Sequence, residues 1–129
     1  MSIAEHRQKA RTFLQDAQLC SDHERYDSSA SRGYYAMFRA ALALMEQDGY
    51  LRPAWNHGRL KGALVRSMVE ERAILSHRKV EDMEAAYALR LEADYGNRLV
   101  LRQEVQEVLD TAHSFLIKVE EVMQRETQP

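Results

Sequence analysis

The 129-residue chain has one cysteine, Cys20, so it can form neither an internal disulfide nor a cysteine-cluster zinc site. Such sparing use of cysteine suits a reducing cytosol. Proline is nearly absent as well, with two residues of which one is the last. With only five glycines beside them, the chain lacks the turn residues that a β-sandwich or barrel spends about every ten positions. Long apolar runs are also missing: the longest, Ala40-Ala41-Leu42-Ala43-Leu44-Met45, has six residues, far short of a membrane span. The opening residues, Met1-Ser2-Ile3-Ala4-Glu5-His6, carry neither the cationic start nor the apolar centre of a signal peptide, which predicts a cytoplasmic protein. There is no glycine-rich phosphate loop, no Gly-x-Ser-x-Gly elbow and no His-Glu-x-x-His. No motif asks for a cofactor.

What is present is the mixture of a folded globule, 45% hydrophobic and 29% charged residues. The length predicts a single domain over residues 1–129. The net charge of −2 hides a gradient. Residues 52–79 carry Arg52, Arg59, Lys61, Arg66, Arg72, Arg78 and Lys79 against Glu70 and Glu71, whereas residues 102–129 carry three basic and six acidic side chains. A basic stretch followed by an acidic one marks either a nucleic-acid surface, an acidic partner's dock, or the way a solvated bundle divides its charges.

Apolar residues recur every three or four positions almost throughout, which predicts helices. The first carries Ala10, Phe13, Leu14, Ala17 and Cys20; the second carries Tyr34, Tyr35, Phe38, Ala41, Leu42 and Met45. Asp27, Ser28, Ser29 and Ser31 are candidate caps for the second helix, and Gly49 is placed to stop it. A loop follows over residues 49–55. A third helix is expected from the cap Asn56, with Leu60, Leu64, Met68 and Val69. A fourth is expected from about Val80, with Met83, Ala86, Tyr87, Leu91 and Tyr95, ended by the left-handed tolerance of Gly96-Asn97. The fifth has the cleanest stripe: Val105, Val108, Leu109, Ala112, Phe115, Leu116, Val119, Val122 and Met123. Short connections make neighbours antiparallel, so the expected fold is all-α, an up-and-down bundle of four long helices plus a shorter one.

Three constellations could carry chemistry. Asp110-Thr111-Ala112-His113 is a lone near match to the Glu-x-x-His of metal bundles, and the five histidines share no spacing, so no metal site is expected. In Arg32-Gly33-Tyr34-Tyr35, neighbouring tyrosines point about 100° apart, so one ring can face the core while the other edges a groove. Arg32, three positions from Tyr35, can lie on its ring, a common element for phosphates or bases; the alternative is an arginine paired with a nearby carboxylate. Late in helix four, Arg90 and Asp94 share a face with Tyr87 and Glu84 along the same ridge and Tyr95 beside them. They can bind phosphate and assist proton transfer, or form a surface ion pair with Tyr95 in the core. Arg52 and His57 add a cation and a general base that flank a loop; the alternative is a His57 that partners backbone or core groups.

In order, Ser31-Arg32-x-Tyr34-Tyr35-Ala36-x-Phe38-x-Ala40, Gly49, His57-Gly58, Leu89-Arg90-x-x-Ala93-Asp94-Tyr95 and Ala112-x-x-Phe115 resemble the HEPN domain, especially its small stand-alone prokaryotic branch. The resemblance spans about residues 5–124. It implies a compact bundle that forms a homodimer. It also implies a toxin–antitoxin system in which a minimal nucleotidyltransferase (MNT) is the antitoxin partner. Active members are metal-independent endoribonucleases, each protomer contributing an arginine followed after four to six residues by histidine. Their late motif maps here to Arg90, Asp94 and Tyr95 as catalytic residues, with Arg32, Tyr35 and His57 as nucleotide- or RNA-binding residues. The chain departs from the pattern because Asp94-Tyr95 stand where the histidine is expected, and aspartate with its ordinary pKa near 4 is a weak base at neutral pH. The alternative implied is a non-catalytic subunit that binds nucleotide or RNA, or docks a partner.

Overall fold

A computed structural model describes residues 1–50 and 54–127. Its elements run α1 (Ile3–Asp22), α2 (Tyr26–Gln47), α3 (His57–Leu64), a wider π-type continuation over Val65–Glu71, α4 (His77–Tyr95) and α5 (Arg102–Thr127). No strand occurs among the described residues. The all-α bundle of four long helices and a short one is the fold the apolar spacing predicts.

α1 starts in a reciprocal cap: the Glu5 N–H donates to Ser2 Oγ at 3.1 Å and the Ser2 N–H donates to Glu5 Oε1 at 3.2 Å. It ends with Glu24 in the left-handed region at φ 60, and the Arg25 N–H closes back on the Cys20 carbonyl at 2.7 Å. α2 follows at once, so the two helices pack antiparallel. None of the expected caps of α2 serves as one. The helix starts at Tyr26, before all of them, and its N-cap Arg25 makes no side-chain capping bond. Asp27 instead accepts the Val100 N–H at 3.0 Å, at the foot of α5, and Ser29 Oγ donates to the Ala17 carbonyl at 2.7 Å. These short polar side chains tie helices together rather than opening one.

α2 is the central rod and packs on α1, α4 and α5, with every residue from Ala40 to Met45 buried. Gly49 ends its run as expected: at φ 93 it adopts a conformation that L side chains resist, and the Tyr50 N–H returns to the Met45 carbonyl. Asn56 caps α3 through the Arg59 N–H at 2.9 Å, also as expected. α4 begins three residues before Val80, because the Ser76 hydroxyl accepts the Lys79 N–H. Gly96 does close α4, but for a different reason from the expected one. Its φ of −78 is open to any residue, and what bars a side chain is the Glu92 carbonyl oxygen, 2.6 Å from where a Cβ would sit.

All nine stripe residues of α5 are buried and form the wall against α2. A smaller cluster of Ala17, Ala30, Val100, Val105 and Leu109 closes the end where α5 starts. Tyr95 departs from its stripe. It is 74% exposed, as are Leu99 at 79% and Leu101 at 63%, so an apolar corner faces solvent between α4 and α5. No helix among the described residues is long and apolar enough to cross a membrane.

Candidate functional site

The two tyrosines of α2 divide as helical geometry requires. Tyr34 is buried at 2% exposure and Tyr35 is half-buried, so Tyr35 is the ring of the two that keeps an edge toward solvent. Burial pushes the Tyr34 phenol well above its ordinary range, because a phenolate would lose its hydration there. Its hydroxyl meets His57 Nδ1 at 2.9 Å. The His57 ring, at the first turn of α3, lies flat on Tyr87 of α4, with centroids 3.7 Å apart and planes 5° from parallel. Its Nε2 reaches Glu84 Oε2 at 2.5 Å, and Lys61 Nζ approaches the same oxygen at 3.4 Å. The hydrogen bond from His57 holds the Glu84 carboxyl below the usual carboxylate range. A carboxylate can only accept, so Nε2 carries a proton, and the Tyr34 hydroxyl, which can donate or accept, meets Nδ1.

One turn beyond Tyr87 stands Arg90. Its guanidinium carbon is 5.1 Å from the Tyr35 ring centroid, 5.9 Å from that of Tyr95 and 6.0 Å from that of Tyr34. Nε donates to Asp94 Oδ2 at 2.9 Å. Burial opposes the charge on Arg90, but Tyr35 and Asp94 outweigh it and raise the pKa further. Its two terminal nitrogens donate to no protein group among the described residues. Arg90 is therefore a largely shielded cation, braced on one edge by Asp94 and within 6.0 Å of three tyrosine rings, with its fork unused. Such a fork suits a phosphate or carboxylate.

The structure thus brings Arg90, Asp94, Tyr95 and Tyr35 together and places His57 behind them, joined through Tyr34 and Tyr87. Arg32 does not lie on Tyr35, because Arg90, arriving from another helix, occupies that ring; Arg32 remains half-buried on α2. The surface ion pair Arg90–Asp94 is present, but Tyr95 is not the core residue which that alternative requires. Arg52 lies outside the described residues, so its pairing with His57 has no geometry here. Asp110 is engaged by Gln106, and no group of three or more His, Cys, Asp or Glu side chains among the described residues could hold a metal ion. The ridge Glu84–Tyr87–Arg90 is legible as positions three apart; what spacing does not reveal is that His57 is what the ridge grips. The exposed Leu99 and Leu101 carry no warning in the apolar pattern.

A family model described as the HEPN domain matches residues 3–122. The chain belongs to the HEPN domain family. HEPN domains are in general nuclease or RNA-binding domains. Among solved structures, TT1696 from Thermus thermophilus is similar to this HEPN chain with a TM-score of 0.76 and 22% identity, over 92% of this chain and 96% of that one. At that identity the likeness shows the fold. No curated protein matches.

Proposed function

We propose that this HEPN protein is the toxin-like component of a prokaryotic toxin–antitoxin pair. In this reading it is a cytoplasmic homodimer bound by an MNT-type nucleotidyltransferase antitoxin, and it acts on RNA through Arg90. The observation that carries the reading is the unused guanidinium fork of Arg90 between the rings of Tyr35 and Tyr95. Arginine binds phosphate through that fork, and flat rings beside it offer stacking surfaces to bases. The exposed corner of Tyr95, Leu99 and Leu101 adjoins Arg90 and supports pairing with a second copy, because contiguous apolar surface of that kind marks an interface.

In cleavage, a ribose 2′-oxygen attacks the adjacent phosphorus while its proton passes to a site group. The bond from phosphorus to the 5′-oxygen breaks, and that oxygen takes up a proton, leaving a 2′,3′-cyclic phosphate. Arg90 stabilises the charge gathering on the phosphoryl oxygens, Asp94 is the nearest acceptor, and Tyr95 stands at the solvent edge. A second reading, RNA binding without cleavage, is favoured by one observation. His57 has both ring nitrogens engaged and an 11% exposed side chain, so it is not free to supply the imidazole missing beside Arg90.

The test is cleavage of total RNA by the purified protein with EDTA present, beside an Arg90→Ala control. Cleavage lost in the control supports the nuclease. RNA bound but uncut supports the second reading. RNA neither bound nor cut by the folded protein sinks both.

A further inference from the structure

The basic stretch of residues 52–79 does not stay uniformly cationic in the fold. Lys61 pairs with Glu84, Arg72 with both Asp48 and Glu126, and Arg78 with Asp82. Arg59 and Arg66 are exposed, and among the described residues neither meets a carboxylate. Both line one open pocket of about 240 Å³, together with Tyr50, Gly58, Gly62 and Ala63. No acidic side chain among the described residues lines it. Gly58 and Gly62 lie one turn apart on α3, and nothing comes within 4 Å of where a side chain on Gly62 would begin. Small residues therefore make up the rest of the α3 lining beside the two arginines. Tyr50, 37% exposed, is its aromatic edge.

Two like charges held near each other without a counter-charge favour an anion between them. A guanidinium fork matches phosphate oxygens, a lining of glycine and alanine lets a backbone come close, and a phenol ring at the rim offers a base a stacking surface. We propose that this α3 pocket binds single-stranded RNA, with Arg59 and Arg66 on successive phosphates and Tyr50 stacked on a base. The inference rests on RNA being the ligand of this protein, and it adds a contact area separate from Arg90. Phosphate contacts position a strand without reading its sequence, so the pocket contributes affinity and register rather than sequence preference.

The test is binding of a fluorescent 2′-O-methyl RNA, which 2′-hydroxyl attack cannot cleave, of about 12 nucleotides, a span that single-strand sites cover. Anisotropy is followed across a KCl series for the wild type, Arg59→Ala/Arg66→Ala, Tyr50→Ala, Tyr50→Phe and Arg90→Ala. Because Arg59 and Arg66 are exposed and unpaired, their replacement should leave the helical circular dichroism unchanged. The double variant should bind about 10-fold more weakly and lose about 1.4 from the magnitude of the log–log salt slope, since each single-strand phosphate contributes about 0.7. Tyr50→Ala should weaken binding several-fold while Tyr50→Phe, which keeps the ring, should not. Wild-type affinity and slope in the double variant would overturn the pocket alone, and a loss confined to Arg90→Ala would leave the Arg90 reading standing. A double variant that keeps RNA affinity but no longer captures the nucleotidyltransferase would reassign the pocket to an acidic protein surface, against the proposal. A wild type that binds no RNA overturns both readings together.

Discussion

Two shielded imidazoles join helices of this bundle, His6 buried and His57 partly so, and they are wired differently. His6, 5% exposed, bridges α1 to α2: its Nδ1 lies 3.2 Å from an Arg39 nitrogen and its Nε2 lies 3.3 Å from Glu46 Oε1. His57 joins α3 to α2 and α4 through Tyr34 and Glu84. Each ring has a carboxylate on Nε2, and the difference is the group on Nδ1. Arg39 can only donate, so Nδ1 of His6 must keep its lone pair, and a second proton there would face a guanidinium. Tyr34 can donate or accept, so a proton arriving on Nδ1 of His57 needs only a rotation of the phenol hydroxyl. His6 is thus a neutral strut fixed in one tautomer. His57 keeps its partners in either protonation state, and it is the one that lies behind Arg90.

The sharpest way to break the comparison is to remove each ring. His57→Ala takes away the stack on Tyr87 and strands the buried Tyr34 hydroxyl, so it should destabilise by about 2–4 kcal/mol in urea unfolding. His6→Ala should cost less, about 1–2 kcal/mol, because Arg39 and Glu46 remain as compensating charges on one helix. Adding Tyr34→Phe to His57→Ala removes the stranded hydroxyl and should recover part of the loss. A double variant that simply sums the two single losses would show that the Tyr34–His57 bond contributes nothing of its own.

The two networks should also separate along the pH axis. Burial, with Arg39 adding to it, lowers the pKa of His6 against the opposing pull of Glu46. The unfolded chain then takes up this proton near its ordinary value of about 6.5 while the folded chain resists. Stability should therefore fall as pH drops below that value, by at most about 1.4 kcal/mol per pH unit, until the lower folded pKa is passed. His6→Gln should flatten this slope. Glu84 acts further down. Its contribution is complete above the ordinary carboxylate value of about 4.5 and is lost as pH falls through its lower folded pKa. Glu84→Gln should shrink that lower decline, to which Glu104, held low by Arg98, also contributes, and leave the upper one untouched. A single acid transition unaltered by either substitution would erase the distinction.

The sequence makes legible what depends on neighbours in the chain and conceals what depends on crossings. The stripe of α5 predicts nine buried residues and all nine are buried, because amphipathic spacing is a local property that packing had only to obey. Asn56 and Gly49 act as cap and stop for the same reason: the groups they satisfy lie within a few residues. Asp27 reads as a cap but serves the Val100 N–H, 73 positions away. Arg32 reads as the cation for Tyr35, yet Arg90 arrives across the α2–α4 contact and takes the ring. Of the site, the ridge on α4 is visible as periodicity. The grip of that ridge on His57 is not, because nothing in a spacing rule says which loop returns α3 beneath it.

Lys61 marks where the His57 network meets water, and it sets the lower bound of the comparison. Its ammonium approaches Glu84 at 3.4 Å, but the two side chains are 42% and 43% exposed. Water solvates both charges whether or not they pair, and holding two long side chains in one geometry costs rotamer freedom. Lys61→Ala should therefore shift stability by no more than about 0.5 kcal/mol, with the shift shrinking further in high salt. The inner bond from His57 to Glu84 should survive, since its geometry is set by the ring stacked on Tyr87 rather than by the lysine. A loss approaching that of His57→Ala would mean instead that Lys61 holds the carboxylate in place, and the network would then be anchored at its surface end rather than at the buried phenol.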